Sequence, residues 1–169
     1  MNAGGKERVA VCPGSYDPVT NGHLDIIKRV SRVFDRAVIG VVGQSIRKSS
    51  ALFTPEERQG FLERSIAAAG IENVEVRIFS NLLVDFVREC NGTAIVKGLR
   101  AISDFEYEFE MNQLNRKLAP DIESVYIFAS SEFSFLSSTG VKEMATFGGN
   151  VSDLVPQEVA DALVDRVER

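Results

Sequence analysis

Short apolar segments recur along the chain, and longer stretches with helical periodicity separate them. The segments are rich in β-branched residues and mostly lack polar alternation, which is typical of parallel strands covered on both faces. We therefore predict strands at VAVC (Val9–Cys12), AVIGVVG (Ala37–Gly43), VEVRIF (Val74–Phe79), AIV (Ala94–Val96) and VYIF (Val125–Phe128).

Two of the helical stretches carry explicit start signals. The run TPEER combines Thr54 as N-cap, Pro55 at the first helical position and Glu57 in a capping box, and this pattern ends at Gly70. The run SDFE, residues 103–106, is a second capping box that opens a long helix. Three further helices are predicted after His23, after Ser137 up to Gly148–Gly149, and from Pro156.

Strand and helix alternate strictly, which predicts right-handed crossovers and an α/β fold with a doubly wound, parallel five-stranded sheet. With 169 residues and no linker or internal repeat, we expect a single domain over residues 1–169, with a core at about 8–150 and a C-terminal helix at about 156–168. Ligands of such sheets bind beyond the carboxyl ends of the strands, where the strand order reverses. The loops that follow the strands are therefore the candidate functional regions.

The composition narrows the function classes. The net charge is −5, whereas proteins that grip nucleic acid usually show a basic balance, so we expect no nucleic-acid partner. No apolar run has the length of a membrane span and no signal-peptide pattern opens the chain, so we expect a cytoplasmic protein that does not bind membranes. One histidine and two cysteines, Cys12 and Cys90, offer no zinc-ligand set, and we interpret the cysteines as buried, reduced thiols.

The loop after the first predicted strand, Pro13–His23, is dense in turn residues. It matches neither a phosphate loop of the GxxxxGK type nor a GxGxxG dinucleotide fingerprint. Gly22 allows a ligand to approach the main chain, and the N–H groups at the helix start form an anion site. His23 has two interpretations that both stay open here: a helix-end residue held by a local hydrogen bond, or a substrate contact.

Cations and hydroxyl groups follow three other predicted strands. Each group has an ordinary interpretation as a solvated pair or a helix cap, yet each also suits phosphate oxygens in a chain that is acidic overall. No nucleophile or general base is evident at these strand ends, which favours a polyphosphate ligand. The groups are Arg47 with Lys48, Lys97 with Arg100, and Ser137, Ser138 and Thr139 with Lys142 one turn on.

Two longer motifs resemble those of a known superfamily. GSYDPVTNGH is similar to the nucleotidyltransferase motif GxFDPxxxGH, and SSTGVK is similar to its second motif, STxx[KR]. Within that superfamily, the runs KGLRAISDFEYE and NLLVDFVRE resemble the bacterial phosphopantetheine adenylyltransferases. The similarity extends from about Val9 to Val167 and implies a Rossmann-like nucleotidyltransferase fold. We interpret Tyr107, within the same run, as a core aromatic on a helix face.

The resemblance implies a reaction, partners and an assembly. Enzymes of this family transfer the adenylyl group of ATP to 4′-phosphopantetheine, with Mg²⁺, and give dephospho-coenzyme A and pyrophosphate; coenzyme A is a candidate feedback ligand. A homohexamer built from two trimers is also implied. The attacking phosphate monoester is already anionic, so positioning and charge stabilisation suffice without a general base. Two other functions stay open: a related transferase with another phosphorylated acceptor, and a non-catalytic nucleotide or coenzyme A sensor.

The same resemblance implies roles for individual residues. His23 would contact the α-phosphate and stabilise the transition state, and Lys48 would be the second catalytic group. The ligands of Mg²⁺ are not assigned, because this ion often binds mainly through substrate phosphates and water. Phosphopantetheine binding is assigned to Ser15, Arg47, Lys48, Leu83 and Lys97. ATP binding is assigned to Ser15, Tyr16, His23, Gly98, Leu99, Arg100, Glu108, Phe133, Ser134, Phe135, Leu136, Ser137, Ser138 and Thr139.

The chain departs from the family pattern at several of these positions. Tyr16 stands where Phe is usual, and Ser15 stands where Thr is usual. Lys97 stands where Arg is frequent, which keeps the charge but gives up bidentate geometry. The loop after the second strand is one residue longer than usual, so either Arg47 or Lys48 takes the place of its catalytic lysine, and we favour Lys48.

Overall fold

The computed structural model describes residues 7–43, 51–100 and 102–167. The strands are β1 (Val9–Gly14), β2 (Arg36–Val42), β3 (Val74–Phe79), β4 (Ala94–Leu99) and β5 (Glu123–Phe128). The helices are α1 (Asn21–Val33), α2 (Pro55–Ala68), α3 (Leu83–Glu89), α4 (Ile102–Leu118), α5 (Ser138–Thr146) and α6 (Gln157–Val167), with a short 3₁₀ turn at Ser131–Phe133. None of the helices in these ranges has both the length and the apolar character that crossing a lipid bilayer requires.

The strands form one parallel sheet in the order β3-β2-β1-β4-β5. From β1 the chain winds outwards through β2 and β3, then crosses to the other side of β1 to form β4 and β5. The predicted α/β fold with a doubly wound five-stranded sheet is confirmed. Because the strand order reverses between β1 and β4, a ligand is expected near their carboxyl ends, at Gly14 and Leu99.

The two faces of the sheet pack against different helices. Ala10 and Cys12 of β1 belong to a core formed with α1, α2, α5 and α6, whereas Val9 and Val11 belong to a second core with α3 and the segment after α4. All four side chains are buried. This two-sided burial explains why the central strands appear in the sequence as apolar runs without alternation.

Strand β1 continues through Pro13 and Gly14, which were expected in a loop, because they pair with Gly40 and Val41 of β2, and three further elements also differ from the prediction. Strand β4 continues through Lys97, Gly98 and Leu99, which were expected in a loop, because these residues pair in register with the last three residues of β5. Helix α3 is missing from the prediction, since it has seven residues and its N-cap, Leu82, makes no side-chain cap hydrogen bond. Helix α4 begins at Ile102, one residue before the predicted capping box.

Candidate active site

The loop between β1 and α1 crosses the carboxyl end of the sheet and ends in a capping box. Thr20 is the N-cap of α1, and His23 is the third residue of that helix. The backbone N–H of His23 donates to Thr20 Oγ1 at 3.3 Å, and the backbone N–H of Thr20 donates to His23 Nδ1 at 3.0 Å. A histidine thus occupies the place that Glu or Gln usually takes in this motif.

The capping box fixes the position of the proton on the His23 ring. A backbone N–H can only donate, so Nδ1 must accept, and the proton of the neutral imidazole lies on Nε2. One nitrogen therefore satisfies the helix end, while the other carries a donor that suits a phosphate oxygen. His23 can therefore hold the helix end through Nδ1 and still contact a substrate through Nε2, so the two interpretations from the sequence do not exclude each other.

Tyr16 supports the histidine from within the fold. Its ring packs edge-on against His23 with the two centroids 5.0 Å apart, and its hydroxyl donates to the carbonyl of Cys12 at 3.0 Å. Its φ of 49° lies in the left-handed region, where a non-glycine residue is strained. Burial raises the pKa of the Tyr16 phenol well above its usual range. Because the side chain is buried, a ligand contact at this residue would come from its main chain.

Asp17, in the same loop, is a buried carboxylate with three donors. It accepts from Lys142 Nζ at 2.7 Å and from the backbone N–H groups of Leu52 at 3.0 Å and Phe53 at 2.9 Å. Burial alone raises the pKa of this carboxyl, but the three donors outweigh it, and the net pKa lies below the usual value. No role for Asp17 was predicted from the sequence, because no local pattern connects it to residues 52, 53 and 142.

Arg58, on α2, is the second buried charge missed by the sequence analysis. Its Nη1 donates to the carbonyls of Ser15 at 2.6 Å and Val42 at 3.0 Å. Its Nε donates to the carbonyls of Phe53 at 3.1 Å and Thr54 at 3.3 Å. Burial lowers the pKa of the guanidinium, an effect that the nearby acids partly offset. One signal for the burial of Arg58 was available in the sequence. Arg58 precedes Phe61, which is buried, by three residues, so both lie on the same face of the helix.

A small cleft beside β4 brings together Leu83, Lys97 and Glu108, three of the predicted substrate residues. Lys97 Nζ lies 3.3 Å from Glu108 Oε1, and both side chains are largely shielded from solvent. Tyr126 holds this part of α4 by donating its hydroxyl to the Glu108 carbonyl at 3.2 Å. The interpretation of Tyr107 as a core aromatic is wrong, because this side chain is 39% exposed and lines the same cleft.

Arg100 connects the end of β4 to the segment before α5. Its Nη1 donates to the carbonyl of Leu136 at 2.9 Å, while its Nε bonds to the Asp104 carboxylate at 3.1 Å. The same carboxylate accepts from the backbone N–H of Arg100 at 3.1 Å. The side chain of Leu136 is buried in the core shared with α1. Arg100 therefore fastens the 131–137 segment to the carboxyl end of β4, next to β1.

The hydroxyl-rich start of α5 also closes onto the first loop. Ser137 is the N-cap of α5 and accepts from the backbone N–H of Gly140 at 3.0 Å. Ser138 donates its hydroxyl to the carbonyl of Pro18 at 2.8 Å. The capping interpretation of Ser137 is thus what the structure shows, and Ser138 ties α5 to the loop that carries His23.

The remaining predicted ATP residues surround these contacts. Gly98 allows α1 to pack closely against β4, because a Cβ at position 98 would lie only 3.1 Å from Cγ1 of Ile26. Phe133 lies beside Gly22, since its Cβ is 3.3 Å from the position that a Cβ on residue 22 would take. The others are Leu99, buried at the end of β4; Ser134, whose hydroxyl donates to the Ser131 carbonyl; and two exposed residues, Phe135 and, in the first turn of α5, Thr139. Arg47 and Lys48 lie outside the described residues.

Neither a metal-ligand cluster nor another cavity gives a competing location for the site among the described residues. Among the described residues, no group of three histidine, cysteine, aspartate or glutamate side chains is placed to hold a metal ion. A surface depression of about 480 Å³ lies among Lys28, Arg32, Gly70 and Asn73. That is the amino-terminal end of β3, opposite the strand ends that carry the predicted chemistry.

Comparison with known proteins gives a family. Residues 11–144 match the family model described as cytidylyltransferase-like. A phosphopantetheine adenylyltransferase of Clostridium tetani is 51% identical over 153 residues, which cover 90% of this chain and 93% of the relative. One from Moorella thermoacetica is 50% identical over 159 residues, covering 94% and 97%. The chain belongs to the cytidylyltransferase-like family, among the phosphopantetheine adenylyltransferases. This confirms the resemblance found in the sequence.

Solved structures support the fold of this cytidylyltransferase-like chain at much lower identity. A nicotinic acid mononucleotide adenylyltransferase of Plasmodium falciparum, complexed with NaAD, aligns with a TM-score of 0.69 at 15% identity, covering 95% of this chain and 96% of that one. A bifunctional NMN adenylyltransferase/ADP ribose pyrophosphatase of Francisella tularensis aligns with a TM-score of 0.70 at 15% identity, covering 97% of this chain and 51% of that one. At such identities the likeness concerns the nucleotidyltransferase fold alone.

Proposed function

We propose that the protein transfers the adenylyl group of ATP to 4′-phosphopantetheine, forming dephospho-coenzyme A and pyrophosphate. The choice of acceptor rests on the relatives at about 50% identity, which cover nearly the whole chain. The observation that carries the chemistry is the His23 ring, held with Nδ1 as an acceptor at the amino terminus of α1. Helix α1 starts at the edge of the sheet where the strand order reverses, so the ring carries its Nε2–H donor at that edge.

His23 and the helix start are suited to the charge that develops in this reaction. The phosphate of the acceptor attacks the α-phosphorus of ATP, and the pyrophosphate group leaves with the electron pair of the broken P–O bond. Nε2–H of His23 donates to an α-phosphate oxygen, and the first N–H groups of α1 add their dipoles. A single such donor typically contributes about 10²- to 10³-fold in rate.

Lys97 is proposed to hold the acceptor phosphate, with Leu83 beside the pantetheine arm in the same cleft. The Lys97–Glu108 ion pair lines that cleft, and both side chains are largely shielded from solvent. Ser15, Arg47 and Lys48 complete this assignment, with Lys48 favoured as the second catalytic cation.

ATP is proposed to lie at the carboxyl ends of β1 and β4, where the strand order reverses, with the 131–139 segment enclosing it. Arg100 and Ser138 support this placement, because they fasten that segment to β4 and to the first loop. Glu108 is proposed to contact ATP from the Lys97 cleft, where its carboxylate lies 3.3 Å from the Lys97 ammonium group. The ATP set also includes Ser15, Tyr16, His23, Gly98, Leu99, Phe133, Ser134, Phe135, Leu136, Ser137 and Thr139.

Mg²⁺ is proposed as a companion of ATP and not as a resident ion. The described residues offer no set of three ligands, and the Asp17 carboxylate is already engaged by Lys142 and two amides. An ion held by the phosphates and water would neutralise the charge of the leaving pyrophosphate.

We also propose that residues 1–169 work as one domain in a cytoplasmic homohexamer, with coenzyme A as a feedback ligand. Exposed apolar side chains on α4 support an assembly: Phe105 and Phe109 are each 52% exposed, and Leu114 and Leu118 are 51% and 56% exposed. At 100° per residue the two pairs lie on opposite sides of the helix, so both sides expose apolar surface to be covered. Both cysteines are free, as expected in a reduced compartment.

The proposal is tested by following pyrophosphate with ATP, Mg²⁺ and one acceptor at a time. We expect release with 4′-phosphopantetheine and none with pantetheine, the matched acceptor that lacks the attacking phosphate. Release with nicotinamide mononucleotide but not with 4′-phosphopantetheine would make the protein a different transferase. Tight ATP binding without release from any acceptor would make it a sensor.

A further inference from the structure

We propose that Arg58 is a positioning residue for His23, acting through the turn formed by Ser15 and Tyr16. The inference deepens the proposed function and rests on it for its kinetic consequence. Arg58 itself lies behind the first loop, with its side chain in the interior. It is therefore distinct from the residues proposed to touch a substrate.

The hydrogen bonds of Arg58 join three separate pieces of main chain. Nη1 bridges the carbonyl of Ser15, just after β1, and that of Val42, the last residue of β2. Nε reaches the carbonyls of Phe53 and Thr54 at the start of α2. The fork of the guanidinium sets the distances among these pieces, and a lysine, with one nitrogen, cannot reproduce it.

The contact with Ser15 is relayed to the histidine by the next residue. Ser15 precedes Tyr16, whose edge packs against the His23 ring. The left-handed conformation of Tyr16 holds only while the surrounding contacts impose it. The bond from Arg58 to the Ser15 carbonyl fixes one side of this residue, and the bond from Tyr16 to the Cys12 carbonyl fixes the other. Releasing the first would let the Tyr16 ring, and with it the imidazole, move.

A purely structural role explains the residue poorly. Within the described ranges, Arg58 is 3% exposed and forms no ion pair, since all four of its acceptors are neutral carbonyls. Burying a charge in this way is costly, and apolar residues of similar volume at such sites are often as stabilising. What the guanidinium supplies that an apolar residue cannot is the defined separation of Ser15, Val42 and Phe53.

The experiment uses the single histidine of the chain as a probe. In untagged protein, the imidazole Cε1–H resonance in an NMR spectrum belongs to His23 alone. We measure this resonance, kcat and the KM for ATP in Arg58→Lys and in the control variant Arg64→Lys. All measurements are made at temperatures well below the unfolding midpoint of each variant. Arg64 is on the same helix, and its partners are Glu158 and the Phe61 ring, away from the first loop.

Arg58→Lys should shift the His23 resonance and lower kcat about 10- to 100-fold with the KM for ATP nearly unchanged, as expected when a catalytic group is misplaced. Arg64→Lys should change neither. If Arg58→Lys does not fold, Arg58→Met provides the same measurement with an apolar side chain. A folded variant with an unshifted resonance and normal kcat overturns the proposal, and so does a loss of activity that only matches the unfolded fraction.

The two proposals fail in different ways. If the wild-type protein releases no pyrophosphate with 4′-phosphopantetheine, the proposed function fails, but a shifted resonance in Arg58→Lys still supports the positioning of His23. If the wild-type protein is active and the resonance does not move in any folded Arg58 variant, the inference fails and the function stands.

Discussion

Lys142 Nζ lies 2.7 Å from the buried carboxylate of Asp17, and these two residues are separated by 125 positions in the sequence. The pair joins α5 to the loop that leads into His23. Because the same carboxylate accepts from the Leu52 and Phe53 amides, it also fixes the main chain that precedes α2. The ion pair is thus a junction of the three segments around the candidate site.

Asp17→Asn should lower the free energy of unfolding by about 3 kcal/mol, because removing one partner of a buried pair leaves the other without its counter-charge. Urea denaturation at pH 7 measures the change. Asp121→Asn is the matched control, since the Arg88–Asp121 pair is exposed and such pairs contribute less than about 1 kcal/mol. Equal losses in the two variants would contradict the role given to Asp17.

The same carboxylate should make the stability depend on acid pH. The folded-state pKa of Asp17 lies below its ordinary value of 3.8, so its contribution is fully present above that value and is lost as the pH falls through the folded-state pKa. Urea denaturation of the wild-type protein and Asp17→Asn at pH 5, 4 and 3 tests this. Their difference in unfolding free energy should shrink below pH 4, and a constant difference would exclude the depressed pKa.

Substitutions of His23 should separate its helix-end role from its role at the phosphate. His23→Ala removes half of the capping box and should cost about 1 kcal/mol of stability, with turnover reduced at least about 10²-fold. His23→Glu keeps an acceptor for the Thr20 N–H and should retain most of the stability, yet lose turnover at least as strongly because its carboxylate repels phosphate. Pyrophosphate release and thermal unfolding are measured together. Near-normal turnover in either variant would remove His23 from the mechanism.

The sheet could be predicted from the sequence because its signals are local. The runs around Val11 and Ile39 are apolar throughout, since both faces of the central strands are covered. Helix α2 begins at the predicted Thr54 cap, with both hydrogen bonds of the capping box present. Helix α3 lacked such a signal, and the end of β4 depends on pairing with β5, which is set by the tertiary fold.

The site was predictable only where a motif marked it. His23 and Ser137 stand at helix starts, which local patterns identify. Asp17 and Arg58 were missed because their partners lie on other segments, and a charged residue in a sequence is ordinarily interpreted as exposed. Their roles come from long-range hydrogen bonds to main-chain groups and, for Asp17, from the ion pair with Lys142, and no residue spacing encodes these contacts.

Both cysteines should resist thiol reagents while the protein is folded. Burial raises the pKa of Cys12 to about 12, although nearby Lys97 opposes this, and burial also raises the pKa of Cys90. At pH 8 we expect Ellman's reagent to react on the order of 10³-fold or more slowly with native protein than with protein in urea, because reaction requires opening of the core. Cys90→Ser isolates Cys12. Rapid labelling of native Cys90→Ser would contradict the burial of Cys12.

The assembly proposed from the exposed α4 surface can be tested by mass. Phe105 and Phe109 stack with centroids 5.9 Å apart on one side of α4. An unpartnered aromatic pair of this kind is unfavourable in water, so a second chain is expected to cover it. Light scattering should give about six times the 18.6 kDa of one chain for the wild-type protein. Phe109→Glu should lower that mass, since the new carboxylate would be buried in the contact without a partner.

The control for this test is Val164→Glu on α6, which exchanges an equally exposed apolar side chain, 51% accessible, away from α4. Its mass should equal that of the wild-type protein, because a charge on a solvated face costs little. A wild-type monomer would contradict the assembly outright. An unchanged mass in Phe109→Glu would mean that the chains do not associate through this side of α4. A lower mass in both Phe109→Glu and Val164→Glu would mean that the added charge, and not a specific interface, dissociates the chains.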